Sequence, residues 1–258
     1  MMNQEQLKII SEYTQNRIKD SLNNFSKTPF KHYHVDNFFP DEFANQCLKY
    51  FPDTTDLNQW ETKNDKDIEV KMRSNWKSEF DIPDVIIDAI RILNSSLFML
   101  EVSKIFDIHK ILPDPYFTGG GLNVTKKGGL LDVHVDGNYH DATGLDRRLN
   151  AILYLNKNWQ KDWGGEFGLY DKNGKNCIKK IDPIFNRLVI FDTHDFSYHG
   201  LPDPVNFPDE DPRRSIILYY YTKEERPNSQ VMSSKPHSAL WVKKDKKDKK
   251  GKVEREFS

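Results

Sequence analysis

The spacing of apolar residues changes near residue 115 of this chain. Before that point, apolar positions recur at helical spacing in residues 4 to about 23, 41–51 and 83 to about 106. The third segment is the longest, and its apolar stripe predicts one amphipathic helix packed on a sheet. The stripe consists of Ile86, Ile90, Leu93, Leu97 and Leu100. Residues 56–77 are charged and irregular, which predicts a loop with a short strand near Val70.

From Tyr116 onward, short apolar runs alternate with turns rich in glycine and asparagine. The runs fall at residues 122–125, 130–136, 149–156, 166–170, 187–192 and 215–222. Runs of this length between turn signals predict β-strands. Helices followed by a series of antiparallel strands predict a mostly β protein of the α+β class. We expect a jelly-roll barrel with the N-terminal helices packed on one side.

The length of the chain, 258 residues, is compatible with a single β-rich domain. We predict one domain over residues 1–242, with a helical front at 1–114 and a barrel core at about 115–225. Residues 243–258 begin with a run of lysine and aspartate, which predicts a charged, disordered tail.

Composition argues against several classes of partner. The formal net charge is -1, so no overall field favours nucleic acid or a membrane surface. The first residues are polar and predict no signal peptide, and no apolar stretch is long enough to cross a bilayer.

The two cysteines, Cys47 and Cys177, fit neither a metal spacing nor a disulfide framework. We therefore expect a reducing, cytoplasmic location. The sequence does not indicate an oligomeric state.

The tripeptide His134-Val135-Asp136 indicates a metal site. Residues i and i+2 of a strand face the same way, so His134 and Asp136 present an imidazole and a carboxylate side by side. A further histidine from a distant strand completes a 2-His-1-carboxylate triad, which leaves open positions on a non-heme Fe(II) ion. We favour His199 over His194, because His194 lies in a polar stretch between two aspartates.

A second copy of the same motif, His34-Val35-Asp36, provides an internal comparison. A His-x-Asp sequence is more often incidental than a metal site. This copy is followed by Pro40 and Asp41, which are typical of a helix start. We interpret it as the end of a strand, with His34 solvated or hydrogen-bonded locally.

Strand alternation also selects a candidate carboxylate site. Arg213 and Ser215 share one face of a predicted strand, and an arginine can grip a carboxylate through two hydrogen bonds. Arg214 then points outward. The alternative for Arg213 is a surface ion pair with Asp209, Glu210 or Asp211. Two further residues are candidates for contacts with the molecule that carries this carboxylate. Tyr154 is a candidate hydroxyl donor, although it could instead fill the barrel, and Asn123 lies one strand before the His-x-Asp motif.

Five segments, in order, resemble the prolyl 4-hydroxylase-like 2-oxoglutarate and Fe(II) oxygenases. They are residues 146–159, 163–166, 186–191, 198–202 and 213–216. The resemblance covers about residues 119–222 and implies a double-stranded β-helix of the cupin-like kind. It implies iron bound by His134, Asp136 and His199, with Arg213 binding the co-substrate carboxylate and Tyr154 assisting. The chain departs from the family in residues 203–212, which lengthen the gap between His199 and Arg213.

The function implied is a 2-oxoglutarate- and Fe(II)-dependent dioxygenase that hydroxylates an unactivated C–H bond and forms succinate and CO2. The cofactors are Fe(II), 2-oxoglutarate and O2, with ascorbate as a candidate reductant. The resemblance suggests a prolyl or other amino-acid side chain in a peptide or protein. A free amino acid or another small metabolite is the alternative substrate. The competing functions are a cupin-like metal enzyme that is not an oxygenase and a jelly-roll binding module without catalysis.

Overall fold

The computed structural model describes residues 2–232, 235–244 and 255–257. Its four α-helices are α1 (Gln4–Asp20), α2 (Asp41–Lys49), α3 (Asp84–Leu93) and α4 (Ser96–Phe106). Helix α1 begins at a capping box, in which the Asn3 side chain accepts a hydrogen bond from the Gln6 amide and the Gln6 side chain accepts one from the Asn3 amide. No helix in this part of the chain is long and apolar enough to span a membrane.

The strands of the described residues run through the whole chain. In order they are β1 (His32–Val35), β2 (Trp60–Asp65), β3 (Glu69–Ser74), β4 (Leu112–Pro113), β5 (Gly121–Thr125), β6 (Leu130–Val135), β7 (Asp146–Tyr154), β8 (Phe167–Tyr170), β9 (Cys177–Ile181), β10 (Leu188–Asp192), β11 (His199–Leu201), β12 (Arg213–Thr222), β13 (Leu240–Lys244) and β14 (Arg255–Phe257).

The sheet curls into two antiparallel halves. One half has the order β10-β7-β12-β5 and the other β6-β11-β8-β9, and β3 joins them by pairing with both β5 and β6. Strand β1 extends the first half beyond β10. This arrangement is a double-stranded β-helix, so the predicted α+β fold class with a jelly-roll core is confirmed.

The helices cover the outer face of the first half. Apolar residues of the helices form one core with the outward-facing residues of β7, β10 and β12. Within that core, the Tyr220 hydroxyl donates a hydrogen bond to the Leu93 carbonyl across 2.9 Å, which ties β12 to the end of α3. Because neighbouring strand residues alternate between faces, the next residues along point into the barrel. That interior holds the candidate site.

The structure corrects two expectations for the first part of the chain. The single helix predicted over residues 83–106 is two helices, α3 and α4. It breaks at Asn94 and Ser95, because the Ser95 hydroxyl caps α4 by accepting a hydrogen bond from the Phe98 amide. Residues 56–77 are not mainly a loop but contain the paired strands β2 and β3. The front is therefore not purely helical.

Part of the predicted tail is also structured. Lys243 and Lys244 end β13, and Arg255–Phe257 form β14, which pairs with it in antiparallel register. The apolar residues Leu240 and Val242 anchor β13, which pairs with β6 through Leu240 and Trp241. Residues 245–254 and 258 lie outside the described residues.

Candidate active site

Three side chains from two neighbouring strands form a metal-binding arrangement. His134 is on β6, Asp136 follows the end of that strand, and His199 on β11 lies directly opposite His134 in the strand register. Asp136 Oδ1 is 3.5 Å from His134 Nε2 and 3.7 Å from His199 Nε2. Their potential ligand atoms all lie within 4.8 Å of one another, so one ion can contact all three. Within the described residues, no other group of three or more such side chains is arranged in this way.

Hydrogen bonds orient each potential ligand. His134 Nδ1 lies 2.8 Å from the Asp132 carbonyl oxygen, and His199 Nδ1 lies 2.8 Å from the Ser197 carbonyl oxygen. Each Nδ1 therefore carries the proton and donates it, which leaves Nε2 as a free lone pair facing the other ligands. Asp136 Oδ2 accepts a hydrogen bond from Asn150 Nδ2 at 3.3 Å. Its Oδ1 remains directed at the two imidazoles.

The protonation states suit a cation. Burial, together with the neighbouring His134, lowers the pKa of His199 to about 4, so the imidazole is neutral at neutral pH. Burial alone would raise the pKa of Asp136, but His199, His134 and Arg147 outweigh burial and lower it. A neutral imidazole beside an ionised carboxylate is the state that binds a divalent metal.

The site opens into a cavity of about 340 Å³ inside the barrel. Arg213 lines it and is buried, and its Nε donates a hydrogen bond to the Gly165 carbonyl at 2.9 Å. The guanidinium carbon lies 4.9 Å from the centre of the Tyr154 ring. Gly165 has a positive φ of 78°, and a Cβ there would come within 3.1 Å of Arg213. The Gly164-Gly165 turn therefore lets the backbone approach and hold the arginine.

The remaining predicted co-substrate residues lie on the same face of the sheet as Arg213, although they are not among the residues that line the cavity. Ser215 pairs in register with Asn123 on β5 and with Tyr154 on β7, so all three share the inward face. The Tyr154 hydroxyl, the Ser215 hydroxyl and the Asn123 amide are buried and have no hydrogen-bond partner among the described residues. Burial raises the pKa of Tyr154 against the opposing effect of the nearby Arg213, so its hydroxyl stays protonated and able to donate. Unpartnered buried donors beside an arginine suit an anionic ligand such as a dicarboxylate.

Residues that the sequence set aside lie outside the metal cluster. His194 accepts a hydrogen bond from the Phe196 amide and packs edge-on against Phe30. Arg214 points outward and pairs with Asp211. In the first His-x-Asp copy, Asp36 forms two hydrogen bonds with Arg187, at 2.5 and 2.9 Å. Asp36 is therefore neutralised by an arginine.

Several residues at the site were not predicted. Asn150 was recognisable, because it lies two and four residues before Ile152 and Tyr154 on the same strand face. Arg147 stacks on the ring of Tyr219, with its guanidinium carbon 4.0 Å from the ring centre, and both residues line the cavity. The C-terminal residues His237, Ser238, Ala239 and Trp241 also line it. Their only sequence signal is the short apolar run before the charged tail.

Comparison with known proteins identifies the domain. Residues 120–221 match the family model of the 2OG-Fe(II) oxygenase superfamily. This segment is a 2-oxoglutarate and Fe(II) oxygenase domain. Its cofactors are Fe(II) and 2-oxoglutarate, and the buried histidines, carboxylate and unpartnered donors described above are of the kind that these groups require.

Two curated relatives are prolyl hydroxylases. Prolyl 3-hydroxylase OGFOD1 of Mus musculus is 34% identical over 86 residues, which are 32% of this chain and 15% of that protein. Prolyl hydroxylase EGLN3 of Homo sapiens is 33% identical over 112 residues, covering 42% of this chain and 43% of that protein. The matches thus span less than half the length of each of these relatives.

Solved structures with the same fold include two prolyl hydroxylases. One, from Trichoplax adhaerens, is in complex with a peptide fragment of the hypoxia inducible factor oxygen degradation domain. It superimposes with a TM-score of 0.61 at 20% identity and covers 86% of this chain and 94% of that one. The other is a Pseudomonas putida prolyl-4-hydroxylase, with a TM-score of 0.53 at 15% identity, covering 82% of this chain and 100% of that one. At these identities the likeness establishes the fold.

Proposed function

We propose that this protein is a 2-oxoglutarate- and Fe(II)-dependent dioxygenase that hydroxylates an unactivated C–H bond. The observation that carries the proposal is the cluster of His134, Asp136 and His199 beside a buried arginine and unpartnered donors. Bound iron supplies O2 activation, coupled to decarboxylation of 2-oxoglutarate to succinate and CO2. The three side chains would hold the iron and leave positions open for the co-substrate and O2.

The neighbouring residues have separate roles in this proposal. Arg213 binds the far carboxylate of 2-oxoglutarate, and the hydroxyls of Tyr154 and Ser215 donate to the same group. Asn123 adds an amide on the adjacent strand. Apolar side chains on the cavity wall, among them Ile152 and Phe167, exclude water from the reacting centre.

We propose a prolyl or other amino-acid side chain in a peptide or protein as the substrate. The support comes from the names of the curated relatives and from the size of the cavity, about 340 Å³. A cavity of this volume has room for 2-oxoglutarate beside one substrate side chain. A free amino acid would also fit this volume and is the second candidate.

The test of the reaction measures succinate formed from 2-oxoglutarate in air with Fe(II) and ascorbate. The wild type is compared with His134→Ala, Asp136→Ala and His199→Ala. We expect turnover in the wild type and at most residual turnover in each variant. Wild-type protein that neither turns over nor binds 2-oxoglutarate when loaded with Fe(II) would exclude the oxygenase.

The test of the substrate offers proline-containing peptides and free amino acids to the same protein. A mass gain of one oxygen atom, dependent on 2-oxoglutarate, identifies the substrate. Hydroxylated peptide supports the first candidate, whereas oxidation of free amino acids alone supports the second.

We further propose that residues 1–242 act as one domain in the cytoplasm. Cys47 and Cys177 are both free thiols, as expected in a reducing compartment. Helix residues share one core with the barrel, as in a single folding unit. Fractionation of the source cells would test the location, and limited proteolysis would test the domain boundary.

A further inference from the structure

Strand β6, which carries His134, pairs with one strand along one edge and with two strands along the other. Strand β11 pairs along one edge of β6, with His199 opposite His134. On the other edge, β3 pairs only with Leu130 and Leu131. Strand β13 takes over that edge and places Trp241 directly opposite His134. A residue near the C-terminal end of the described chain is thereby brought next to a proposed iron ligand.

Trp241 stacks on the imidazole of His134. The ring centroids are 4.6 Å apart and the planes are inclined by 30°. On the opposite side, the His199 ring lies 4.4 Å from the same imidazole. The His134 ring is therefore held between two rings, while its Nδ1 is held by the Asp132 carbonyl. This leaves Nε2 directed at Asp136.

The segment that contains Trp241 is held to the rest of the protein by hydrogen bonds of His237. We call residues 236–242 the C-terminal strap. The His237 backbone amide donates a hydrogen bond to Asn138 Oδ1 at 2.9 Å, and its carbonyl accepts one from the Asn138 backbone amide at 3.1 Å. The His237 imidazole lies 3.0 Å from an oxygen of the buried Asp195. A Cβ on Gly137 would come within 3.1 Å of the His237 carbonyl, so a glycine permits this close approach.

The other end of the strap is anchored by packing on the opposite face of the strand. Val242 is buried against Val133, Val135, Tyr170 and Tyr198. Because consecutive strand residues face opposite ways, Val242 contacts this outer cluster while Trp241 faces the cavity. Val242 therefore holds the strap on the barrel, whereas the adjacent Trp241 contacts His134.

We propose that Trp241 is a positioning residue of the metal site. Its ring fixes the orientation of the His134 imidazole and excludes water from that side of the ligand. The inference rests on the proposed function, in that it takes His134 as an iron ligand. Partners that orient a metal ligand contribute to metal affinity although they do not touch the ion. Trp241 does not contact the reacting atoms.

The experiment measures the dissociation constant of Co(II), a stand-in for Fe(II), by calorimetric titration of the full chain. We expect Trp241→Ala to weaken binding by about 2- to 10-fold, the range that corresponds to the loss of one aromatic pair. Trp241→Phe keeps an aromatic ring over His134 and should bind nearly as the wild type does. Val242→Ala is the matched control, because it loosens the same strand without removing the ring, and it should also retain affinity.

A second readout tests proximity without measuring affinity. Co(II) bound beside His134 should quench the fluorescence of Trp241, so the metal-dependent quenching should fall sharply in Trp241→Phe. The inference is overturned if Trp241→Ala binds Co(II) like the wild type, or if Val242→Ala loses as much affinity as Trp241→Ala. It is also overturned if Trp241→Phe keeps the full quenching.

A His134→Ala variant separates the two levels of the proposal. If this variant binds Co(II) as the wild type does, the proposed metal site fails. If it loses binding while Trp241→Ala does not, only the role of Trp241 fails. Should Trp241→Ala not fold, Trp241→Leu replaces it, since leucine fills space without a ring to stack, and wild-type affinity in Trp241→Leu would overturn the inference.

Discussion

Two adjacent arginines show how strand alternation assigns residues to different surroundings. Arg213 is 6% exposed, faces the cavity and is held by the Gly165 carbonyl. Arg214 faces outward, where its guanidinium pairs with Asp211 and lies 5.9 Å from the Phe51 ring. Both carry the same charge, so only their direction relative to the barrel distinguishes them.

We predict that Arg213→Ala raises the KM for 2-oxoglutarate by at least about 30-fold. Loss of one partner of a buried charged pair costs about 2–5 kcal/mol. Arg214→Ala is the matched control and should leave that KM near the wild-type value. Steady-state succinate formation measures both. A larger effect from Arg214→Ala would assign the co-substrate to the other face of β12.

The short strand β11 illustrates how an element can determine the position of a ligand. Its three residues lie between β6 and β8, and Gly200 follows His199 directly. A Cβ on Gly200 would come within 2.8 Å of the carbonyl oxygens of Leu131 and Asp132. Because both are backbone atoms of β6, the two strands would have to separate.

We therefore predict that Gly200→Ala destabilises the protein by about 1–3 kcal/mol, the usual cost of overpacking, and also weakens metal binding. Gly128→Ala is the control. It has positive φ but open space around it, so it should cost about 1–3 kcal/mol through backbone strain alone. Denaturant unfolding and Co(II) titration together distinguish the variants. Wild-type metal affinity in Gly200→Ala would show that β11 tolerates displacement.

The C-terminal strap has its own pH dependence. The hydrogen bond to Asp195 raises the pKa of His237 above 6.5, against the opposing effect of burial. A raised folded pKa contributes stability that is fully present below the unfolded pKa and is lost as the pH rises through the folded value.

We predict that the wild type is more stable than His237→Gln by on the order of 1 kcal/mol at about pH 6, and that the difference disappears by about pH 9. Free energies of unfolding at the two pH values measure this. An equal difference at both would mean that the imidazolium charge contributes nothing.

At the scale of the whole molecule, the helices and the barrel are one structure. Residues of α2, α3 and α4 share a continuous core with β7, β10 and β12, and β3 joins the two halves of the sheet. The proposed ligands lie on β6 or directly after it, and on the neighbouring strand β11, and β6 is the strand of this half that pairs with β3. Metal binding should therefore stabilise the entire fold.

We predict one cooperative thermal unfolding transition that shifts upward on addition of Co(II). At a free metal concentration 100 times the dissociation constant, the gain is about 2.7 kcal/mol, provided the unfolded chain does not bind. A chelator should reverse the shift, and His134→Ala should show none. Calorimetry measures both. An equal shift in His134→Ala would place the stabilising metal elsewhere.

Much of the site could be anticipated, because alternation along a strand is local. The two-residue spacing that places His134 beside Asp136 also places Arg213 beside Ser215, whatever the rest of the fold does. The turn signals and apolar runs likewise predicted most core strands. The break at Asn94 and Ser95 escaped prediction because the apolar stripe continues across it. The signal for a new helix is the single capping residue Ser95.

Periodicity and turn chemistry act between near neighbours, so they were enough to predict the fold class and the faces of the individual strands. The folded structure was needed to show which distant residues meet. It brought Asn150 to Asp136, inserted β3 between β5 and β6, and placed Trp241 against His134. These pairings depend on which strand edges remain free when the barrel closes, and that is a property of the whole chain.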